Sequence, residues 1–304
     1  MSRAAFIAAA LMLWGLVLGT PGAAPAGPAR PLPPVVRLAV TDLEGYPRLD
    51  SEFGAFARRL GELAGCRVEL VPVQSRTSAV EALTERQVDL VLTGPAEYVV
   101  FHQLTNARPL VAFSRPDYFA GILVLAEREP HTIGDLKGKT VLFGDVGSTS
   151  FHLAPMQILA DHGLNPLRDI RSLHLSRHDL AGAWRALKEG QVDALGMNYT
   201  TLWRLQHSDP DLEPGAFRFL ARGPDLPSDV LLVGGHVPPA VKARLSQAFT
   251  GHEASLIAAL LLGEDNRKYR GMKFLTTVKD SDYDYVRSMY RTIGFPRFSR
   301  FIQD

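Results

Sequence analysis

From residue 35 onward, short apolar runs rich in β-branched residues alternate with longer segments of helical periodicity, and this alternation narrows the fold more than any other feature. Runs at 35–40, 67–73, 88–92 and 110–113 read as strands. Segments 51–63, 77–86 and 95–104 read as helices, the first with Phe53, Phe56, Leu60 and Leu63 on one face. The pattern then restarts. Strands are predicted at 121–126, 140–143, 170–175 and 192–197, with helices at 133–136, 151–162, 179–188 and 200–206. One more strand at 230–233 precedes a mostly helical stretch, 239–262. Such repeated βα units predict an α/β fold of mainly parallel sheets flanked by helices. Two successive runs predict two lobes, 35–120 plus 229–304 and 121–228, with the chain crossing around 118–126 and 220–233. Ligands of α/β sheets gather at the carboxyl ends of strands and at domain interfaces, so the cleft between the lobes is the expected site.

The first residues read differently. Arg3 precedes an apolar run, 4–18, broken by Gly19-Thr20-Pro21, and Ala24-Pro25-Ala26 supplies a small-residue cleavage pattern. Residues 1–26 are therefore expected to be a signal peptide that directs the protein to the periplasm, followed by a Pro-rich leader, 27–34. The apolar run is shorter than the ~20 residues a spanning helix needs. No cysteine stands directly after that run, which argues against a lipid anchor. The one cysteine, Cys66, cannot form an intramolecular disulfide and reads as a buried thiol. Lys and Arg number 33 against 32 Asp and Glu, so no bulk field exists to hold nucleic acid, and an anion has to be recognised locally.

The most informative segment runs from Thr140 through Gly144-Asp145-Val146-Gly147-Ser148-Thr149-Ser150 into the helix at 151–162. A strand enters a glycine-containing turn, and three consecutive hydroxyl residues open a helix. The unpaired N–H groups and positive dipole of a first turn, joined by hydroxyls, can accept a tetrahedral oxyanion. Ser148 or Ser150 could equally serve only as a helix cap, and residue types alone leave both readings open. Gly138-Lys139-Thr140 is not a phosphate loop, because Ile133 stands where the first glycine belongs and a strand follows. Ser148 lacks the flanking glycines of a nucleophile elbow. His252-Glu253 has no second histidine at zincin spacing, and neither a metal site nor a cofactor is expected. His178, in Leu175-Ser176-Arg177-His178-Asp179, again lies at a strand-to-helix junction and could donate to an anion. Tyr98, in Leu92-Thr93-Gly94-Pro95-Ala96-Glu97-Tyr98, could lend a phenol or simply be a core-edge aromatic.

The ordered set of segments resembles the phosphonate- and phosphite-binding proteins of ABC importers, members of the type II periplasmic binding protein fold. The likeness runs through Val88-Asp89-Leu90, Gly94-Pro95 with Tyr98, Asp135-Leu136-Lys137-Gly138-Lys139 and Ser148-Thr149-Ser150 before a helix carrying Pro155 and Leu159. It continues through His178, Gly190-Gln191-Val192-Asp193-Ala194 and Leu226-Pro227-Ser228-Asp229. The resemblance implies that Ser148, Thr149 and Ser150 hold the phosphorus-bound oxygens while Tyr98 and His178 close over them. Asp229 matches a family carboxylate near the cleft, and Tyr46, in the loop after the first strand, a further cleft aromatic. Members that take aminoalkyl phosphonates carry a glutamate where this chain has Asn198-Tyr199-Thr200-Thr201, so an aminophosphonate is disfavoured. The implied protein is a non-catalytic monomer that delivers a small oxyanion to an inner-membrane ABC permease. A ligand-sensing subunit for a membrane histidine kinase is the alternative. A periplasmic esterase or phosphoesterase, with Ser148 and His178 as the pair to consider, ranks third.

Overall fold

A computed structural model describes residues 34–41, 46–175, 179–208 and 215–302. The expected signal peptide, and the leader up to residue 33, lie outside the described residues. The first run of elements is β1 (Val35–Val40), α1 (Tyr46–Ala64), β2 (Arg67–Leu70), α2 (Arg76–Thr84), β3 (Leu90–Thr93), α3 (Pro95–Leu104) and β4 (Arg108–Phe113). The second comprises β5 (Phe119–Leu125), β6 (Thr140–Phe143), α4 (Ala154–Asp161), β7 (Arg171–His174), α5 (Leu180–Lys188), β8 (Ala194–Asn198), α6 (Tyr199–Ser208) and β9 (Phe217–Asp225). The chain closes with β10 (Asp229–Val233), α7 (Pro239–Gly251), α8 (Glu253–Leu260), β11 (Phe274–Leu275) and α9 (Asp284–Thr292).

These strands form two sheets, ordered β11-β4-β10-β3-β1-β2 and β7-β6-β8-β5-β9. Each has a parallel core of three strands: β1 pairs with β2 and β3, and β6 pairs with β7 and β8. Helical crossovers make those parallel pairs possible. The remaining pairs are antiparallel: β10 with β3 and β4, β11 with β4, and β5 with β8 and β9. The sheets are therefore mixed, because β5, β9 and β10 flank the two short links by which the chain passes between them. Those links lie between Phe113 and Phe119 and between Asp225 and Asp229. All residues of β3, β6, β8 and β10 are buried, as suits strands covered on both faces.

One device recurs in both sheets. Asp89, just before β3, accepts the Arg37 backbone N–H at 2.8 Å and its guanidinium at 3.0 and 3.1 Å, with His236 at 2.9 Å. Asp193, just before β8, accepts the Thr140 N–H at 2.8 Å. Each carboxylate satisfies an amide at a neighbouring strand, so the Val-Asp-Leu and Val-Asp-Ala segments are structural.

Helices α1, α7 and α8 pack together, and around them Phe56, Phe113, Phe249 and Tyr269 bury one aromatic cluster, with Phe56 and Phe113 ring centroids 5.9 Å apart. Truncating a ring such as Phe113 to alanine costs roughly 3–5 kcal/mol. Cys66 is buried in this cluster, and desolvation pushes its thiol pKa up, which makes it an inert core residue. A second cluster joins α3, α4 and α9 through Tyr98, Val99, Ile158, Leu159, Val286 and Tyr290. A third packs Trp184 and Leu187 of α5 onto Leu123, Leu142 and Leu195.

Several boundaries differ from those the sequence suggests. Helix α1 starts at Tyr46 rather than near 51, so Tyr46 opens a helix instead of lying in a loop; Pro47 fits there because a first-turn N–H has no intrahelical partner anyway. The predicted helix 239–262 breaks at His252 into α7 and α8. Strand β9, the two-residue β11 and helix α9 are additional elements. Among the described residues no helix is long and apolar enough to cross a membrane.

Candidate functional site

Strand β6 ends at Phe143, and the chain turns through Gly147, whose φ of +85° is open to glycine and strained for any other residue. The turn is wound onto itself: the Gly147 N–H donates to His152 Nδ1 at 3.0 Å and the Ser148 N–H to the Asp145 carbonyl at 3.1 Å. A π-helical turn, Thr149–Leu153, then leads into α4, in place of the α-helix expected from residue 151. Wide turns of this type recur at functional sites. Ser148 caps it, its Oγ accepting weakly from the Phe151 N–H at 3.4 Å. The amides of Thr149 and Ser150 have no acceptor among the described residues, as first-turn amides do.

Thr149 and Ser150 are only 5% and 4% exposed, because both hydroxyls reach into packed surroundings. Thr149 Oγ1 accepts the Ala96 N–H at 3.0 Å. Ala96 lies in the first turn of α3, and the N-cap of that helix is Gly94, which has no side chain to offer. The contact therefore joins two helix starts, one following a strand of each sheet. Ser150 Oγ accepts from Asn198 Nδ2 at 2.9 Å, while Asn198 Oδ1 accepts the Thr201 N–H at 2.8 Å, which fixes the amide orientation at the end of β8.

Behind Ser150 lies a chain of polar contacts. Beside it stands Tyr118, a phenol pushed up to about 12 by burial, with Arg115 opposing and Asp229 adding to the shift. The Arg115 guanidinium sits 3.5 Å over the Tyr118 ring, and its Nη1 is 3.5 Å from Asp229. Asp229 also accepts from Tyr269 at 2.6 Å and pairs with Lys268 at 3.6 Å. On the other flank, Arg76 pairs with buried Glu97 at 3.0 Å and passes so close to Gly147 that a Cβ there would be 3.1 Å from its Nη1.

Ser148, Thr149 and Ser150 lie together in the turn, and Asp229 pairs with Arg115, which stacks on Tyr118. The structure does not bring the Tyr98 hydroxyl to the turn. That residue is fully buried, donates to Asp280 at 2.9 Å and has its ring centroid 4.0 Å from that of Tyr283. Tyr46 stands at the first position of α1, its side chain outside what is described, and His178 lies outside the described residues. Asn198, Tyr118, Arg115, Arg76 and the Ala96 amide are contributions that sequence reasoning missed. Only Asn198 carried a local signal, as the polar residue ending an apolar strand. Among the described residues no group of three or more His, Cys, Asp or Glu is placed to hold a metal ion.

Comparison with known proteins bears on the whole assembly. A phosphate-import protein PhnD from Mycolicibacterium smegmatis is 27% identical over 88% of this chain and 88% of its own length. Among solved structures, XAC2383 from Xanthomonas citri bound to ATP superposes with a TM-score of 0.67 at 19% identity, covering 88% of this chain and 99% of that one. A binding protein component of an ABC phosphonate transporter from Pseudomonas aeruginosa gives 0.62 at 19% identity, covering 86% and 88%. These structural likenesses establish the periplasmic-binding-protein fold. The family model described as "ABC transporter, phosphonate, periplasmic substrate-binding protein" matches residues 40–284. With that match spanning most of its length, the chain belongs to the family of periplasmic substrate-binding proteins of phosphonate ABC transporters.

Proposed function

We propose that this protein captures a small tetrahedral oxyanion of the phosphonate, phosphite or phosphate class at the Ser148-Thr149-Ser150 turn and presents it to an inner-membrane ABC permease. One observation carries the reading: two helix starts meet at Thr149 Oγ1 and the Ala96 N–H, beside amides of Thr149 and Ser150 that no described residue accepts. Helix N-termini arranged in this way favour anions. The relative named for phosphate import and the neighbour named for phosphonate transport support the phosphorus class.

In this reading the lobes, 35–120 with 229–304 and 121–228, part about the links at 113–119 and 225–229. The anion enters, the lobes close again by hinge motion, and the Thr149 hydroxyl donates its proton to the anion while its oxygen accepts the Ala96 N–H. Charge-assisted hydrogen bonds then contribute about 1.5–3 kcal/mol each. In this reading binding proceeds without chemistry, and the Ser148 hydroxyl, which accepts weakly from the Phe151 amide, serves as a cap to the turn. The signal peptide expected at 1–26 would, on the same reading, direct the chain to the periplasm, and the family match favours import over kinase signalling.

Calorimetric titration with phosphate, phosphite, methylphosphonate, aminoethylphosphonate, sulfate and arsenite tests this. A phosphorus oxyanion is expected to bind more tightly than millimolar, beyond about −4 kcal/mol, with aminoethylphosphonate weaker than methylphosphonate. If all six bind more weakly than that, the oxyanion class is wrong.

A further inference from the structure

The turn contains a buried histidine that plays no part in holding the anion directly. We infer that His152 is a positioning residue for the anion-receiving turn: by accepting the Gly147 N–H it holds that glycine in place and leaves the next amides, Thr149 and Ser150, as the pair offered to the guest. The inference rests on the oxyanion reading and adds a determinant to it.

The geometry is specific. His152 is 5% exposed, and its Nδ1 lies 3.0 Å from the Gly147 nitrogen, five residues back along the wide π-helical turn. An imidazole that accepts at Nδ1 carries its proton at Nε2, so one neutral tautomer is selected. Burial, and after it the neighbouring His174, pushes the His152 pKa down to about 4, which keeps that acceptor available at neutral pH. The ring is also fixed sideways: His174 stands edge-on to it with centroids 4.8 Å apart at 74°, and Phe143 edge-on at 6.1 Å. His174 in turn places its Nδ1 3.1 Å from the Gly144 carbonyl. Two imidazoles thus brace both glycines of the turn. Without an acceptor at position 152, the Gly147 N–H is a buried donor in search of a partner, and the turn relaxes toward whatever supplies one.

Two measurements on the full protein test this. Methylphosphonate and inorganic phosphate are titrated by calorimetry into wild type, His152→Leu and His152→Asn. Asparagine restores an acceptor near the Nδ1 position, whereas leucine fills the space without one. His152→Leu should weaken binding about tenfold or more, with His152→Asn within about threefold of wild type. In parallel, amide resonances of wild type are monitored during titration. The Thr149 and Ser150 amides should shift strongly while that of Gly147 stays nearly fixed, a readout that needs no variant to fold. Wild-type affinity in His152→Leu, loss of affinity in both variants alike, or a Gly147 shift as large as its neighbours' would overturn the role of His152 while leaving the oxyanion reading intact. Failure of wild type to bind either probe would sink both.

Discussion

Replacing Thr149 by valine keeps the shape of the side chain and removes one oxygen, which isolates the contact joining the two helix starts. In the ligand-free protein that oxygen accepts the buried Ala96 N–H at 3.0 Å, and α3 has no cap of its own to substitute. Stranding a buried donor costs about 1–3 kcal/mol. For a chain of this size each kcal/mol lowers Tm by about 2–4 °C, so a fall of several degrees is expected. On the proposed binding mode the same hydroxyl is a charge-assisted donor to the oxyanion, so its loss removes about 1.5–3 kcal/mol of binding, a Kd roughly 10- to 100-fold higher. Thr149→Ser retains the oxygen and should bind within about threefold of wild type. Calorimetric titration with methylphosphonate and phosphate, run beside thermal melts, separates the two effects. If Thr149→Val melts several degrees lower yet binds like wild type, Thr149 only seals the start of α3, and the reasoning that places the anion there is refuted.

Acid should destabilise the protein through His152. Its folded pKa is depressed from 6.5 to about 4, so the unfolded chain binds the proton more readily. The stability it contributes, about 3 kcal/mol, is complete above pH 6.5 and is lost as pH falls toward and through about 4. Denaturant unfolding at pH 7 and pH 4.5 should show that decline in wild type and little of it in His152→Asn; equal declines would exclude His152 as the source. Tyr98→Phe removes the hydrogen bond to Asp280, which keeps Arg287 as a partner, and should cost about 1 kcal/mol of stability with ligand affinity within twofold. A tenfold loss of affinity would instead put the phenol on the ligand.

The sequence reveals the parallel core of each sheet because βα alternation is a local pattern: 35–40, 95–104 and 140–143 coincide with β1, α3 and β6. Strand β9 escapes such reading because its pattern, Phe217-Arg218-Phe219-Leu220-Ala221-Arg222, leaves it only partly buried, and its pairing with β5 is a long-range property. Helix α9 carries Asp, Arg and Tyr side chains, a face whose apolar partners come from α3 and α4. At the site, three adjacent hydroxyls and a glycine are legible as a turn. Their partners are not, since the Ala96 amide lies 53 residues from Thr149 and Asn198 lies 48 from Ser150. The π-helical register that sets His152 over Gly147 is likewise a product of packing, where periodicity alone suggests an ordinary helix from residue 151.

Helix α9 is bonded on two sides. The Tyr290 hydroxyl donates to the Ala96 carbonyl at 2.9 Å, on α3, while Thr292 donates to Gln157 at 2.6 Å and Tyr285 to Asp161 at 3.2 Å, both on α4. Ala96 is thereby gripped at both its polar atoms, the N–H by Thr149 and the carbonyl by Tyr290. A movement that carries α3 away from α4 has to tear one row of these bonds and can leave the other whole. The helix then travels with whichever partner it keeps, like a bolt that stays in one leaf of a double door. On the proposed opening, the side chains that would have to let go include Tyr285, Tyr290 and Thr292, more than a hundred positions along the chain from the turn that would touch the guest.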